Sequence, residues 1–296
     1  MTEDANTYRR PFVELSPGEQ TVPVIVNSPH SGRYYPKAFL QASRLSGHSI
    51  RKSEDYVVDE LVESAVKHGM PVLHAVYPRA YLDVNREPFE LDPAMFDGKL
   101  PDHVNSHSIR VSSGLGTIAR IVSEGENIYS GRLPAAEALG RISQIYRPYH
   151  EKLQNLLART HVEFGCAILL DMHSMPSSGM TNEREARADI VLGDRFGNSC
   201  HAKIINHARN AFRDMGFRVE VNKPYAGGFI TQHYGRPLNG LHALQIEINR
   251  SLYMNEVKIV KNRGFSKMTD ALDQFFCQIT ELDLMGLEGT QPLAAE

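Results

Sequence analysis

Short apolar runs recur along this chain, and stretches with the period of a helix lie between them. Val22 to Val26 predicts a strand. The stretch SEDYVVDELVESAVKHG predicts a helix with Ser53 as N-cap, acids in its first turn and Gly69 as its stop. PVLHAVYP predicts a second strand. A long helix is expected from near Pro134 through AAEALGRISQIYRPYHEKLQNLLARTH, kinked or broken at Pro148, where proline removes a donor and crowds the preceding turn. CAILLDMHS and ADIVLG predict buried strands, SCHAKIINHARNAFRDMG a helix, FRVEVN a strand and HALQIEINR a last strand. Near-continuous apolar strands alternating with helices predict an α/β fold, a largely parallel sheet covered by helices on both faces. No shift in composition divides the chain. Residues 1–296 are therefore expected to form a single α/β domain, with 1–20 and 284–296 as loose terminal segments.

In sheets of this kind ligands bind outside the carboxyl ends of the strands. The polar residues at those ends are therefore the informative ones. The first strand runs into SPHSG, which places His30 on a sharp turn. The second leads into PRAYLDVNREP, with Asp83, Asn85 and Arg86. The third ends LLDMHSM, with Asp171 and His173. In the last, LQIEINR, Gln245, Glu247 and Asn249 alternate with Leu244, Ile246 and Ile248, so the polar three share one face. A polar face on a central strand is costly unless it lines a site. Each residue alone has an ordinary reading: a histidine in a turn, a core histidine bonded to a carbonyl, a Glu247–Arg250 ion pair, a salt-bridged loop at Asn85-Arg86. Their common placement around one crevice is what makes them a candidate site.

Two neutral imidazoles and a carboxylate with one open position make a catalytic zinc centre. His30 and His173 are the candidate imidazoles. The chain has no H-E-x-x-H, and the residue three after His30 is Arg33, so the H-x-x-E spacing is missing too. Asp55 is the candidate third ligand, with Glu54 as the alternative. Both acids also suit the first turn of a helix through the dipole alone. Other histidines compete less well: His103 and His107 sit in a stretch that reads as loop, His74 in a strand, and His150 and His161 on the long helix. His233, in PYAGGFITQHYGRP, is expected on a mobile substrate loop, although the two glycines would equally serve a plain turn.

Composition narrows the classes. With 42% hydrophobic and 23% charged residues the balance is that of a globular protein, and a net charge of -3 disfavours nucleic acid as a partner. No apolar run reaches the length of a membrane span, and MTEDANTYRRPF lacks the apolar core of a signal peptide. Cys166, Cys200 and Cys277 show no C-x-x-C spacing, which argues for a reducing compartment and against a disulfide framework. A cytoplasmic location is expected.

The blocks SPHSG, EDYVVDEL, PRAYLDVNREP, GLGTIAR…IYSGRLP, LLDMHS, NKPYAGGFITQHYG and LQIEINRSLYM, in that order, resemble the N-formylglutamate amidohydrolase family over nearly the whole chain. The resemblance implies a zinc-carboxypeptidase-like fold, a mixed, largely parallel sheet flanked by helices, in a single catalytic domain. It implies His30 and His173 as metal ligands, Glu247 as the catalytic carboxylate, and Asn85 and Arg86 as a carboxylate-binding pair. The implied reaction is hydrolysis of N-formyl-L-glutamate to formate and glutamate, a step of histidine breakdown. In it, water on zinc (or iron, cobalt or manganese) attacks the formyl carbonyl with Glu247 as general base. Asp171 either orients the site or serves structure, and Arg120, Arg132 and Arg236 are candidates for a second carboxylate. A hydrolase of the same plan acting on another N-acyl amino acid or small peptide, and a binding protein that has lost the chemistry, are the alternatives.

Overall fold

The computed structural model of the chain describes residues 8–122, 125–177 and 188–289. It divides into two compact units. One comprises Met1–Val13, Pro29–Glu54 and His74–Leu153, the other Glu14–Ser28, Asp55–Leu73 and Gln154–Glu296.

The second unit is built on a sheet. Its strands β1 (Phe12–Leu15), β2 (Val24–Ser28), β3 (Val72–Ala75), β6 (Ala167–Met175), β7 (Ile190–Gly193), β8 (Val219–Val221) and β9 (Leu241–Asn249) lie in the order β1-β3-β2-β6-β9-β7-β8. The unit boundaries pass through β1 and β3 themselves. β2, β6 and β9 are mutually parallel, β7 runs antiparallel to β9, and β8 parallels β7. Two short pairs, β4 (Phe96–Asp97) with β5 (Leu133–Pro134) and β10 (Met254–Asn255) with β11 (Val260–Lys261), lie outside this sheet.

Alternation divides the central strands into two faces. Val24, Val26, Ile168, Leu170, Met172, Leu244, Ile246 and Ile248 face one core, against helices α2 (Val58–Leu61), α6 (Ala202–Asp214) and α8 (Phe265–Thr280). α8 turns Met268, Leu272, Phe275, Phe276 and Ile279 inward, the three-and-four spacing of an amphipathic helix. α6 is capped by His201, whose side chain accepts from the Lys203 amide. Truncating any of these buried aliphatics to alanine would cost about 2–5 kcal/mol.

The helix expected over residues 53–69 is not continuous. Only Val58–Leu61 is α-helical, followed by a 3-10 stretch over Glu63–His68. The residue before α2, Val57, has a left-handed φ of 54°, costly for a β-branched side chain, and the hydroxyl of Ser53 caps nothing. Asp55 therefore sits ahead of the helix, in irregular backbone. The long helix does form, as α4 (Ala135–Arg141) and α5 (Arg147–Phe164) joined by a π-helical turn over Ile142–Tyr146. The wide turn lies immediately before Pro148, where a proline strips the α-helical bond from the turn behind it.

The first unit holds α1 (Lys37–Ala42), α3 (Ile109–Ser112), α4 and an aromatic cluster around Arg141. That fully buried guanidinium lies 3.8 Å over the Tyr81 ring, donates to the Tyr81 carbonyl and the Tyr129 hydroxyl, and pairs with Glu137 one turn earlier. α7 (Phe229–Tyr234) belongs to the second unit. Among the described residues no helix is long and apolar enough to cross a membrane.

Candidate active site

The face of the sheet opposite the helical core carries polar groups at the carboxyl ends of three parallel strands. Asn27 of β2 lies opposite Asp171 of β6, and Asp171 opposite Gln245 of β9. One step on, His173 lies opposite Glu247. Register partners on adjacent strands project to the same side, so His173 and Glu247 are side by side by construction. Asn27 Nδ2 donates to Asp171 Oδ1 at 2.8 Å, which fixes that carboxylate.

His173 is held at both ring nitrogens. Nε2 lies 2.9 Å from Asp171 Oδ2 and Nδ1 lies 3.1 Å from Asp55 Oδ2. Burial alone would push this imidazole below its ordinary pKa. The Asp171 carboxylate, then Asp55 and Glu247, override it and raise the pKa well above that value. Asp55 Oδ1, the far oxygen, accepts from Arg250 Nη2 at 3.1 Å and from Ser174 Oγ at 3.3 Å. Arg250 thus grips Asp55, the acid beside the imidazole; the sequence had offered it to Glu247. Glu247 Oε1 instead accepts from Gln245 Nε2 at 2.9 Å.

Glu54, the other candidate acid, belongs to the first unit and is engaged there. Arg51 clamps it with two bonds of 2.9 and 3.0 Å, and the Tyr35 hydroxyl donates to it at 2.6 Å. Burial and this negative charge hold the Tyr35 phenol protonated far above its ordinary range.

The first unit has its own polar centre around Asp83. His30 Nε2 lies 2.7 Å from Asp83 Oδ1, the Asn85 amide donates to the same oxygen at 2.8 Å, and Arg79 Nη2 donates to Oδ2 at 2.8 Å. Burial would raise this carboxyl, but Arg79, Arg86 and His30 together hold it well below the ordinary carboxylate range. Nε2 is thus the His30 nitrogen turned toward this fixed carboxylate. Sequence reasoning placed Asp83 at a strand end without a role, and its partnership with His30 has no periodic signal.

Arg86 is nearly buried. Its Nε donates to the Leu115 carbonyl and Nη1 to the Asn85 carbonyl, each at 2.8 Å, and Nη2 lies 3.6 Å from Asp83. The loop is pinned from the long helix. Tyr146 Oη donates to the Arg86 carbonyl at 2.7 Å, His150 Nε2 lies 2.8 Å from the Val84 carbonyl, and the two rings stack one turn apart. Among the arginines weighed for a second carboxylate, Arg120 lies beside Asp92 and Arg132 beside Asp97. His233 is on α7, not on a loop, exposed and stacked on Phe229 with ring centroids 5.0 Å apart.

The structure thus gathers Asp55, Asp171, His173 and Glu247 in one unit, and His30, Asp83, Asn85 and Arg86 in the other. Residues 22–254 match the sequence profile of the N-formylglutamate amidohydrolase family. An N-formylglutamate deformylase of Pseudomonas putida is 28% identical over 247 residues, 82% of this chain and 86% of that protein. The crystal structure of an N-formylglutamate amidohydrolase from Ralstonia eutropha JMP134 superposes with a TM-score of 0.87 at 33% identity, covering 92% of this chain and 98% of that one. A gene product of Agrobacterium tumefaciens shares the fold, with a TM-score of 0.62 at 14% identity, covering 92% and 96% of the two chains. On the match across residues 22–254 and the likeness along nearly its whole length, the chain belongs to the N-formylglutamate amidohydrolase family.

Proposed function

We propose that this chain hydrolyses N-formyl-L-glutamate to formate and L-glutamate as a single catalytic domain with one divalent metal ion, zinc before iron, cobalt or manganese. Family membership and the activities named for its relatives support the substrate. The observation that carries the chemistry is the register setting Glu247 beside His173, an imidazole that shares its Nδ1 side with Asp55. His30, Asp55 and His173 are the proposed ligands.

The donor set fits such an ion. Each histidine turns Nε2 to a carboxylate, Asp83 for His30 and Asp171 for His173, the arrangement that commits Nδ1 to a cation. Asp55 Oδ2 and His173 Nδ1 stand 3.1 Å apart. Two atoms sharing one zinc at ~2.0–2.1 Å in tetrahedral array are separated by about 3.3 Å. When bound, the ion supplies a Lewis acid and lowers the pKa of water to about 7.

The chain's own residues do the rest. Glu247 takes the proton from the attacking water as its oxygen adds to the formyl carbon, and delivers it to the amine nitrogen as the C–N bond breaks. Arg86 holds a substrate carboxylate in its planar fork, with Asn85 beside it, and His233 is the third substrate-binding residue of this reading. Arg79 and Arg86 face one carboxylate, Asp83, so this side of the site favours an anion. The reaction is placed in the cytoplasm, as a step of histidine breakdown.

Formate release by the metal-loaded protein tests the reading, with N-acetyl- and N-succinyl-glutamate alongside. Glu247→Gln is expected to keep its metal and lose on the order of 10² to 10⁴ in kcat. Hydrolysis of the acetyl or succinyl compound with none of the formyl one would sink the substrate assignment.

A further inference from the structure

We propose that Gln245 is a positioning residue that sets the orientation of the Glu247 carboxylate, and that Gly193 and the segment 226–228 hold Gln245 in turn. The proposal rests on the reading of Glu247 as general base.

The two ends of a glutamine amide are chemically opposite, and here the backbone decides which points where. Gly228 N–H, a group that can only donate, lies 2.8 Å from the Gln245 side chain, so the atom facing it is Oε1. Nε2 must then face the other way, and it donates to Glu247 Oε1 at 2.9 Å. Gln245 is buried, so both bonds form out of bulk water, where their geometry is well enforced.

Gly228 reaches Gln245 because Gly193 has no side chain. Gly193 is the register partner of Gln245 on β7. A Cβ there would stand 2.7 Å from the Ala226 carbonyl carbon and 2.8 Å from the Gly227 nitrogen, closer than backbone tolerates. The segment is also held two residues beyond Gly193, where the Arg195 amide donates to the Ala226 carbonyl at 2.7 Å. Gly227 completes the turn at a φ of 121°, a conformation open to glycine alone.

A double-mutant cycle on the metal-loaded full chain tests this, with formate release from N-formyl-L-glutamate as the assay. Gln245→Met keeps the volume and removes both polar ends. Its kcat is expected to fall on the order of 10- to 100-fold, the loss of one hydrogen bond to a charged group, with KM and bound metal unchanged. In a Glu247→Gln background the same change should alter kcat by no more than about twofold, because no base remains to be positioned. Gly193→Ala touches no side chain of the site and is expected to reproduce part of the kcat loss, which covers the case of a Gln245→Met chain that fails to fold. Unchanged kcat in both variants, a raised KM, lost metal, or an equal loss in both backgrounds would overturn the proposal. Should the unmutated chain act on a different N-acyl amino acid, the substrate reading falls, and the same cycle on that substrate still decides the role of Gln245.

Discussion

The guanidinium of Arg86 is fixed on its Nε side by the Leu115 carbonyl and at Nη1 by its neighbour's carbonyl, so its remaining N–H groups are aimed, not free to wander. A lysine in its place would keep the charge and lose both anchors. Arg86→Lys is expected to lower kcat/KM for N-formylglutamate on the order of 10- to 100-fold, as for a lost bidentate contact, with metal content unchanged. A formylated amine without carboxylates should be spared. Equal loss on that control would make Arg86 a structural group. At this scale much of the candidate site was legible. His30, His173 and Glu247 follow from strand ends and alternation, and Asp171 shares a face with His173 because the two are two residues apart. The tie of Asp83 to His30 was not legible, since it joins two loops across 53 residues with no pattern between. Nor were the different surroundings of the adjacent acids Asp55 and Glu54, the first beside His173 and Arg250 and the second held by Arg51 and Tyr35.

Among the elements, β9 shows how one strand can carry site and stability together. Glu247 lies toward its carboxyl end, while near its start His242 is buried and gives Nε2 to the Leu287 carbonyl at 2.9 Å, tying down residues near the end of the described chain. Its Nδ1 has no acceptor among the described residues, so a second proton there would be buried unpaired. Burial accordingly lowers this imidazole below its ordinary 6.5. The unfolded chain then takes up a proton that the folded one refuses. Stability is full above about pH 6.5 and declines as pH falls through the window between the two values. Urea midpoints measured from pH 8 to 5 should show this fall, and His242→Gln should flatten part of it. An identical profile in both proteins would exclude His242 as the source. The strands were readable because buried parallel strands are unbroken apolar runs. The helix at 53–69 was not, because Val57, Val58 and Val62 fit an amphipathic pattern yet the backbone turns left-handed at Val57 before α-helix begins. Pro148 was rightly marked as a disturbance. The long helix absorbs it in a π-helical turn without breaking.

For the molecule as a whole, a cation at His30, Asp55 and His173 would join segments far apart in sequence, so metal binding and folding are linked. Stabilisation by a ligand that binds only the folded state grows as RT ln(1 + [L]/Kd), about 2.7 kcal/mol at one hundred times Kd. The melting temperature is therefore expected to rise by several degrees with free zinc and fall on chelation. Asp83→Asn, which loosens the grip on His30, should blunt that response. A melting temperature indifferent to zinc would remove the ion from the ligand set proposed. The sheet order carries a further consequence, for how the chain is made. Asn27 and its bonding partner Asp171 are 144 residues apart, and β9, which pairs along the whole length of β6, comes later still. At roughly 5–20 residues per second, β2 leaves the ribosome on the order of ten seconds or more before β6 exists to pair with it. Through that interval an apolar strand waits with the edge that will meet β6 bare, the kind of segment that aggregates or recruits a chaperone. The yield of this protein in a cell should thus depend on translation speed and chaperone supply as well as on the stability of the finished fold.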